Sequence, residues 1–334
     1  MKIRTLATFA AGIAAIGLLG APAADAKLKR LNIGSNPAGS VYFLLAGGFA
    51  KMFQKELKIR STAQPHAGSS VYIPLMDVGE IVLGLNSSLD SGMAFNGQKP
   101  FKKRILGVKS LARIWILPYG YFVRESSGIK TIADLKGKRV IVNVKTNVSL
   151  AQLNRTILST AGLTERDVTA VDSGGVVAGI NMVIEGRVDA AIAATGMPAM
   201  RKAHATIPGG LRMVALPASA TDEQMAKGMP GSRTFMAKPS KRLGFIRGLT
   251  KIAAFDSFLN AGTTVDDEDA FMLTKTLHEQ WPALQKAYAP IRATPQSGMA
   301  TPTNPMPYHA GAIKYWKSVG MWTAANQKQQ DSLK

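Results

Sequence analysis

The chain has 334 residues, of which 46% are hydrophobic, and its formal net charge is +20. It contains no cysteine, which excludes thiolate metal sites, cysteine nucleophiles and thiol redox chemistry. A chain of this length can bury one large or two ordinary hydrophobic cores without disulfides.

The first 26 residues have the three parts of a secretory signal. Lys2 and Arg4 give a basic start, residues 6–19 are apolar, and Ala24-Asp25-Ala26 is a small-x-small cleavage site. A retained membrane anchor is the alternative, but the apolar run is short for a span. We therefore expect export to the periplasm, with cleavage after Ala26.

The positive charge is concentrated in residues 99–113 and 238–251. No aromatic residues are interleaved there at base-stacking spacing, and an export signal also argues against a nucleic-acid partner. The charge indicates a solvated surface that attracts anionic solutes or lies near anionic lipid headgroups.

Residues 31–43 have the pattern of a strand, a glycine-rich turn and the start of a helix. Apolar and polar residues alternate up to Ile33, small and turn-forming residues follow, and Ser40 opens an apolar pattern at helical spacing. Such a turn directs backbone N–H groups and the positive end of a helix dipole at one point, where an anion could bind. A tight turn that binds nothing is the alternative.

Two further predicted strands, 57–64 and 81–85, also lead into small polar clusters, at residues 67–70 and 86–88. The strand ends of an open α/β sheet converge on one crevice, so we expect these clusters to lie together. Alternating strands and helices start again after residue 128, and Ser149 is expected to cap one of these helices.

The later part of the chain is less regular. Residues 217–251 read as irregular, and 252–260 fit either a helix face or a strand. Thr264 is expected to cap the following helix, and Pro282 should kink or break it.

No motif for bond-breaking chemistry is present. The four histidines lack metal-ligand spacing, and no nucleophile–base set is visible, so we predict no catalytic residue, no metal and no cofactor. Arg113 and Arg124 could clamp a carboxylate or be solvated, and Tyr119 could belong to the core or stack on a ligand. Uncharged polar residues at strand ends suit the hydrogen bonding of a small solute.

Five segments of the chain resemble the TAXI family of substrate-binding proteins, which are the extracytoplasmic receptors of TRAP transporters. Residues 33–43 are similar to the family's glycine-rich opening, and residues 128–140 match an element widespread in two-lobed binding proteins. The other three are residues 67–80, residues 185–198 and the segment Tyr308-His309-Ala310-Gly311-Ala312-Ile313-Lys314-Tyr315-Trp316.

The resemblance implies an α/β fold of the type II periplasmic-binding-protein class, with two lobes joined by two crossing strands. One strand would lie near 116–123 and the other near 251–259, which makes 252–260 a strand. After the signal peptide, 1–26, lobe I would comprise 27–117 plus 252–334, and lobe II 118–251.

The implied function is capture of a small organic anion, a carboxylate such as glutamate or 2-oxoglutarate, and its delivery to the TRAP membrane subunits. We expect a monomer that is not an enzyme and binds no nucleic acid. The alternatives are an ABC-importer receptor and an enzyme on the same two-lobed fold. A basic exported nucleic-acid or adhesion protein is a weaker one.

The predicted ligand contacts lie mainly in the strand-end loops of both lobes. They are Ser35, Asn36, Gly39, Ser40, Tyr42, Ser69, Ser70, Asn86, Ser87, Tyr119, Thr146, Asn147, Ser149 and Thr195, with Arg113 and Arg124 as the candidate carboxylate clamp.

Overall fold

The computed structural model describes residues 28–38, 40–145 and 147–334. The predicted signal peptide and two predicted ligand contacts, Gly39 and Thr146, lie outside the described residues. Within the described ranges, none of the helices has both the length and the apolar character needed to cross a bilayer.

Strands and helices alternate along most of the chain. In chain order they are β1 Arg30–Ser35, α1 Val41–Leu57, β2 Arg60–Pro65, α2 Ser69–Asp77, β3 Leu83–Ser87, α3 Ser88–Asn96, β4 Lys109–Arg124, β5 Arg139–Val144, α4 Val148–Ser159, β6 Thr169–Ser173, α5 Val176–Ile184, β7 Ala190–Ala194, α6 Pro198–Thr206, β8 Leu211–Met213, α7 Asp222–Gly228, β9 Ser232–Ala237, β10 Thr250–Ala261, α8 Asp267–Glu279, α9 Trp281–Ala287, α10 Ala310–Ser318 and α11 Ala324–Ser332.

The strands form one sheet in the order β2-β1-β3-β10-β4-β7-β5-β6, with β8 paired to β4 and β9 paired to β10. β1, β2 and β3 are parallel and lie on one side of the β10–β4 pair, and we call them with their helices the β1–β3 half. β5, β6 and β7 lie on the other side and form the β5–β7 half.

The two central strands belong to both halves. β4 pairs antiparallel with β10 from Lys109 to Tyr119 and then with β7 from Tyr119 to Val123. β10 pairs with β9 in its first part and with β3 in its last part. Residues 252–260 are therefore a strand, as the resemblance predicted. The predicted lobe boundaries fall within or beside these two strands and remain a prediction.

The caps of α4 and α8 differ from the sequence prediction. Asn147, not Ser149, is the N-cap of α4: its Oδ1 accepts the N–H of Leu150 at 3.3 Å. Asp266, not Thr264, caps α8. Asn, Asp, Ser and Thr all serve as N-caps, so closely spaced candidates cannot be separated by residue type alone.

Two further sequence predictions concern Pro282 and residues 217–251. Pro282 does break the helical run, because α8 ends at Glu279 and Pro282 lies in the first turn of α9, where its missing N–H costs nothing. The expectation that 217–251 is irregular was wrong, since this segment contains α7 and β9. β9 owes its extended form to its pairing with β10, which is a long-range contact.

Candidate ligand-binding site

Three helix N-termini bring serine hydroxyl groups to one carboxyl group. Ser69 starts α2, Ser87 caps α3, and Ser149 lies in the first turn of α4; the hydroxyls of all three lie close enough to Asp90 to lower its pKa, against the effect of burial. Ser87 Oγ donates to Asp90 Oδ2 at 2.7 Å and accepts the Asp90 N–H at 3.0 Å. Because Ser149 comes from the β5–β7 half and the others from the β1–β3 half, this contact bridges the two halves.

Two buried tyrosines line the same place. The hydroxyl groups of Tyr42 and Ser257 are 2.6 Å apart, while the Tyr72 hydroxyl donates to the carbonyl of Leu85 and lies 3.3 Å from Ser69 Oγ. Both tyrosines interact electrostatically with Asp90. We call the residues Tyr42, Ser69, Tyr72, Asn86, Ser87, Asp90 and Ser149 the Asp90 cluster.

The carboxyl group of Asp90 has no cationic partner. Its residue is 8% exposed, and among the described residues no Lys, Arg or His nitrogen lies within 4.0 Å of it. Burial raises the pKa of Asp90 above its ordinary value, and the hydroxyls of Ser87, Ser149 and Ser69 oppose that rise. Burial also raises the pKa of Tyr42 and Tyr72, so both remain neutral phenols at physiological pH.

Asn86 leaves a hydrogen-bond donor unused. Its side chain is fully buried, and its Oδ1 accepts from Asn260 Nδ2 at 3.0 Å. Its Nδ2 makes no hydrogen bond of ordinary geometry, although the side chain is close enough to the Tyr72 hydroxyl to lower the pKa of Tyr72. A buried donor without a partner costs free energy, and a bound molecule is one way to satisfy it. The N-terminus of α2 is also open, because its N-cap, Gly68, provides no side-chain hydrogen bond.

The described members of the predicted set divide into two groups. Tyr42, Ser69, Asn86, Ser87 and Ser149 come together in the Asp90 cluster. The other described uncharged contacts are not among the residues that act on Asp90: Ser35, Asn36, Ser40, Ser70, Tyr119, Asn147 and Thr195.

In this second group, the Ser40 side chain accepts the Phe43 N–H at 3.1 Å as the cap of α1. The Tyr119 hydroxyl donates to Asn154 Oδ1 at 3.0 Å, and only 1% of the residue is exposed, which places it in the core. Ser35 Oγ donates to the carbonyl of Gln64 at 3.3 Å, and Asn36 Oδ1 is buried without a partner.

Both arginines of the predicted clamp are bonded to other groups. The Arg124 guanidinium donates to the carbonyls of Val183 and Ile184 at the end of α5. Arg113 lies 3.7 Å from the carboxylate of Asp256 and is mostly buried. Both guanidinium groups therefore already have protein partners in this structure.

Sequence reasoning missed Asp90, Tyr72 and Ser257. For Asp90 a signal was present, because Ser87 and Asp90 have the Ser-x-x-acid spacing that marks a helix start. Tyr72 and Ser257 had none, since each has the ordinary appearance of a core residue in its own segment.

The Asp90 cluster is enclosed rather than open. All seven residues are at most 9% exposed. Two open surface grooves, of about 540 and 570 Å³, lie elsewhere: one between α1 and β2, the other beside the start of α10. None of the predicted contact residues lines either groove. A solute could reach the cluster only if the elements that enclose it move apart.

The sequence pattern of the NMT1-like family matches residues 33–320. The chain belongs to the NMT1-like family. The match includes both halves of the sheet and every described member of the Asp90 cluster. Within the described residues, no three His, Asp or Glu side chains converge as a metal site in this NMT1-like protein.

The fold of this chain is similar to the folds of several solved structures. PhnD1 from Prochlorococcus marinus, in complex with methylphosphonate, is 15% identical, with 75% of this chain and 82% of that chain covered and a TM-score of 0.49. The alkanesulfonate-binding protein SsuA from Xanthomonas axonopodis pv. citri, bound to MOPS, is 18% identical, with 90% and 93% covered and a TM-score of 0.46. XAC2383 from Xanthomonas citri, bound to ATP, is 13% identical, with 92% and 100% covered and a TM-score of 0.50.

These likenesses concern the fold alone; the predicted α/β fold class, with two central strands shared by both halves, is confirmed by the sheet itself. Family and fold together support the coarser part of the predicted function, a solute-binding protein of the periplasmic kind. The more specific resemblance to TAXI receptors stays a prediction.

Proposed function

We propose that this protein is the extracytoplasmic receptor of a TRAP transporter of the TAXI type. In this proposal it is exported to the periplasm, binds a small organic anion such as glutamate or 2-oxoglutarate, and delivers it to the membrane subunits. It acts as a monomer that binds rather than transforms its solute.

One observation carries the proposal: hydroxyl groups from both halves of the sheet meet in an enclosed polar site with an unused donor. The hydroxyls of Ser69 and Ser87 on one half and of Ser149 on the other all act on the carboxyl group of Asp90, and the buried Nδ2 of Asn86, which precedes Ser87 in the chain, makes no hydrogen bond of ordinary geometry. Such an arrangement of polar groups can orient one small polar solute between the two halves of the sheet. The open N-terminus of α2 adds partial positive charge.

The same arrangement explains how binding would be signalled. A solute that contacts both halves is bound more tightly when they are together than when they are apart, so it shifts the population toward the closed form. The membrane subunits could then recognise loaded receptors by their closed shape.

The test is the affinity of serine variants for the solute. Mass spectrometry of what co-purifies identifies the solute, with glutamate and 2-oxoglutarate as first probes for calorimetry. Ser149→Ala and Ser69→Ala each remove a hydrogen bond and should weaken binding by about 1–3 kcal/mol.

Ser159→Ala is the matched control, because Ser159 is exposed at the other end of α4 and its hydroxyl donates to the carbonyl of Thr156. Affinities that are equal in all three variants and the wild type would place the solute elsewhere.

The competing assignment is an ABC-importer receptor, which would use the same site. Reconstitution with the partner membrane subunits separates the two, because uptake would depend on ATP hydrolysis in one case and on an ion gradient in the other. Genes for fused TRAP membrane subunits beside this one would support the proposal, and an adjacent ATPase gene would count against it.

A further inference from the structure

We propose that the open groove beside the start of α10 binds the phosphate group of an anionic phospholipid, so that the protein attaches reversibly to a negatively charged bilayer surface. We call it the α10 groove, and its volume is about 570 Å³. The lining residues that carry the argument are Phe95, Arg104, Leu106, Lys109, Pro307 and Leu333. None of them belongs to the Asp90 cluster, so the inference does not rest on the proposed function.

Arg104 is held against the end of α3 by two contacts of its guanidinium group. Its Nε donates to the carbonyl of Phe95 at 3.1 Å, and its guanidinium carbon lies 5.2 Å from the centre of the Phe95 ring. Within the described ranges, no carboxylate oxygen lies within 4.0 Å of the Arg104 nitrogens. The two Nη atoms therefore keep the planar fork of donors that suits the oxygens of a phosphate group.

Lys109 is a half-buried cation without a counter-charge. It is the first residue of β4, and burial lowers the pKa of its ammonium group. In the part of the chain that the structure describes, neither an Asp or Glu side chain nor the terminal carboxylate lies within 4.0 Å of Lys109 Nζ. Loss of hydration without a partner charge costs free energy, and an anion bound in the groove would offset that cost.

The acidic groups around the groove do not neutralise these two cations. Asp267 is the only acidic side chain among the described residues of the lining; it is 70% exposed and lies 3.3 Å from His309 Nδ1. Lys334 is a third basic residue of the lining, and its Nζ lies 2.6 Å from Asp331 Oδ1. The charge that lacks a partner is therefore positive, which favours an anion in the groove.

The α10 groove also has apolar walls. Phe95, Pro307 and Leu333 line it, and Leu106, which lies between Arg104 and Lys109 in the chain, is 48% exposed. A free inorganic anion would contact the cations and leave this apolar surface in water. A phospholipid satisfies both parts, because its phosphate can meet the cations while Leu106 contacts the boundary between headgroups and acyl chains.

The charge beside the groove favours a bilayer surface over a single partner molecule. Lys102 and Lys103 are exposed in the same segment, residues 102–109. Each basic residue near an anionic bilayer adds to the attraction. A bilayer offers phosphates to all of these cations without matched spacing, whereas an acidic segment of a partner protein must place a carboxylate opposite each one.

The experiment is co-sedimentation of the protein with vesicles of phosphatidylcholine, either alone or mixed with phosphatidylglycerol. The wild type should bind only the mixed vesicles, and less strongly as the salt concentration rises. Arg104→Gln and Lys109→Gln should each lower the partition coefficient about fivefold, which is the effect of one basic residue at an anionic surface. Leu106→Gln should lower it without a change of charge.

Lys51→Gln is the matched control, because it also removes one positive charge but lines the other surface groove, between α1 and β2. Lys51→Gln and Lys109→Arg should both bind vesicles as the wild type does. All variants carry the same N-terminal residues and are checked for folding by circular dichroism, so a difference between them reports on the groove. The inference is wrong if Lys51→Gln weakens binding as much as Lys109→Gln, or if the wild type ignores phosphatidylglycerol at low salt.

Soluble anions distinguish the sources of the charge that the groove binds. Calorimetry with glycerol phosphate and with polyglutamate should show much weaker binding than the mixed vesicles do, because a bilayer presents many phosphates at once. Tight binding of glycerol phosphate that prevents vesicle binding would make the groove a site for a free phosphate compound. Tight binding of polyglutamate that is lost in Arg104→Gln would make it an interface with an acidic protein segment, and either result would overturn the inference.

Discussion

At the scale of single residues, the buried carboxylate of Asp256 is the most heavily paired group. Arg233 donates to both of its oxygens at 2.9 and 2.7 Å, Thr303 Oγ1 donates to it at 2.7 Å, and Arg113 is 3.7 Å away. The two arginine side chains are only 12% and 20% exposed. The pairing joins β10, β9, β4 and the segment before α10.

Asp256→Asn should lower the free energy of unfolding by about 3–5 kcal/mol, because it leaves two largely buried guanidinium groups without their counter-charge. Urea unfolding followed by circular dichroism measures this change in the free energy of unfolding. Asp331→Asn is the control: Asp331 pairs with Lys334 at an exposed position, where solvent screening leaves such a pair with little effect on stability. If Asp256→Asn lowers the free energy of unfolding as little as Asp331→Asn does, the Asp256 network does not stabilise the fold.

Residues whose partners are close in sequence were the predictable ones. Ser40, which caps α1, needs only the chain three residues ahead. Asp256 and Asp90 were not predictable as sites, because the partners of Asp256 lie 23 and 47 residues away and Asp90 meets Ser149 across the two halves. Distance along the chain, rather than residue type, set this limit.

At the scale of elements, α8 and α10 approach so closely that one position admits only glycine. A Cβ atom on Gly311 would overlap the carbonyl oxygen of Asp267 and lie 2.9 Å from the backbone nitrogen of Phe271. Gly311→Ala should therefore force the helices apart and cost about 1–3 kcal/mol, typical of overpacking.

Gly47→Ala in α1 is the matched control, because a Cβ there meets nothing within 4 Å. It should raise stability by about 0.5–1 kcal/mol, since glycine is a poor helix former. Thermal unfolding of the two variants tests whether Gly311→Ala lowers stability and Gly47→Ala raises it. Stabilisation by Gly311→Ala would contradict the close approach of α8 and α10.

Elements with a strong local pattern were predicted well, and elements that depend on neighbours were not. Residues 31–43 gave β1 and the start of α1, because alternation and a cap are local signals. β9 was missed because its extended form depends on pairing with β10. Periodicity could not decide whether residues 252–260 form a helix or a strand, and the prediction of a strand needed the family resemblance.

At the scale of the whole molecule, the positive charge lies apart from the enclosed site. Lys102 and Lys103 are exposed and belong to neither the Asp90 cluster nor its helices. Long-range attraction between exposed charges is screened by salt, whereas contacts inside an enclosed site are screened much less.

Raising the salt concentration should therefore slow association of an anionic solute and leave its dissociation nearly unchanged. Stopped-flow fluorescence measures both rates. Lys102→Glu should lower the association rate and Lys102→Arg should not, because only the first alters the charge. A change confined to the dissociation rate would mean that the basic surface contacts the solute directly.

The central β4–β10 pair is continuous with both halves, and this predicts how the molecule exchanges its amide hydrogens with solvent. The pair is buried over most of its length and is hydrogen-bonded on both flanks, so its amides should exchange only through global unfolding. The first turns of α3 and α4 should exchange through a smaller local opening. A bound solute should slow exchange in the first turns of α3 and α4 by opposing the local opening. It should slow the β4–β10 amides as well, because binding to the folded state alone raises the free energy of global unfolding.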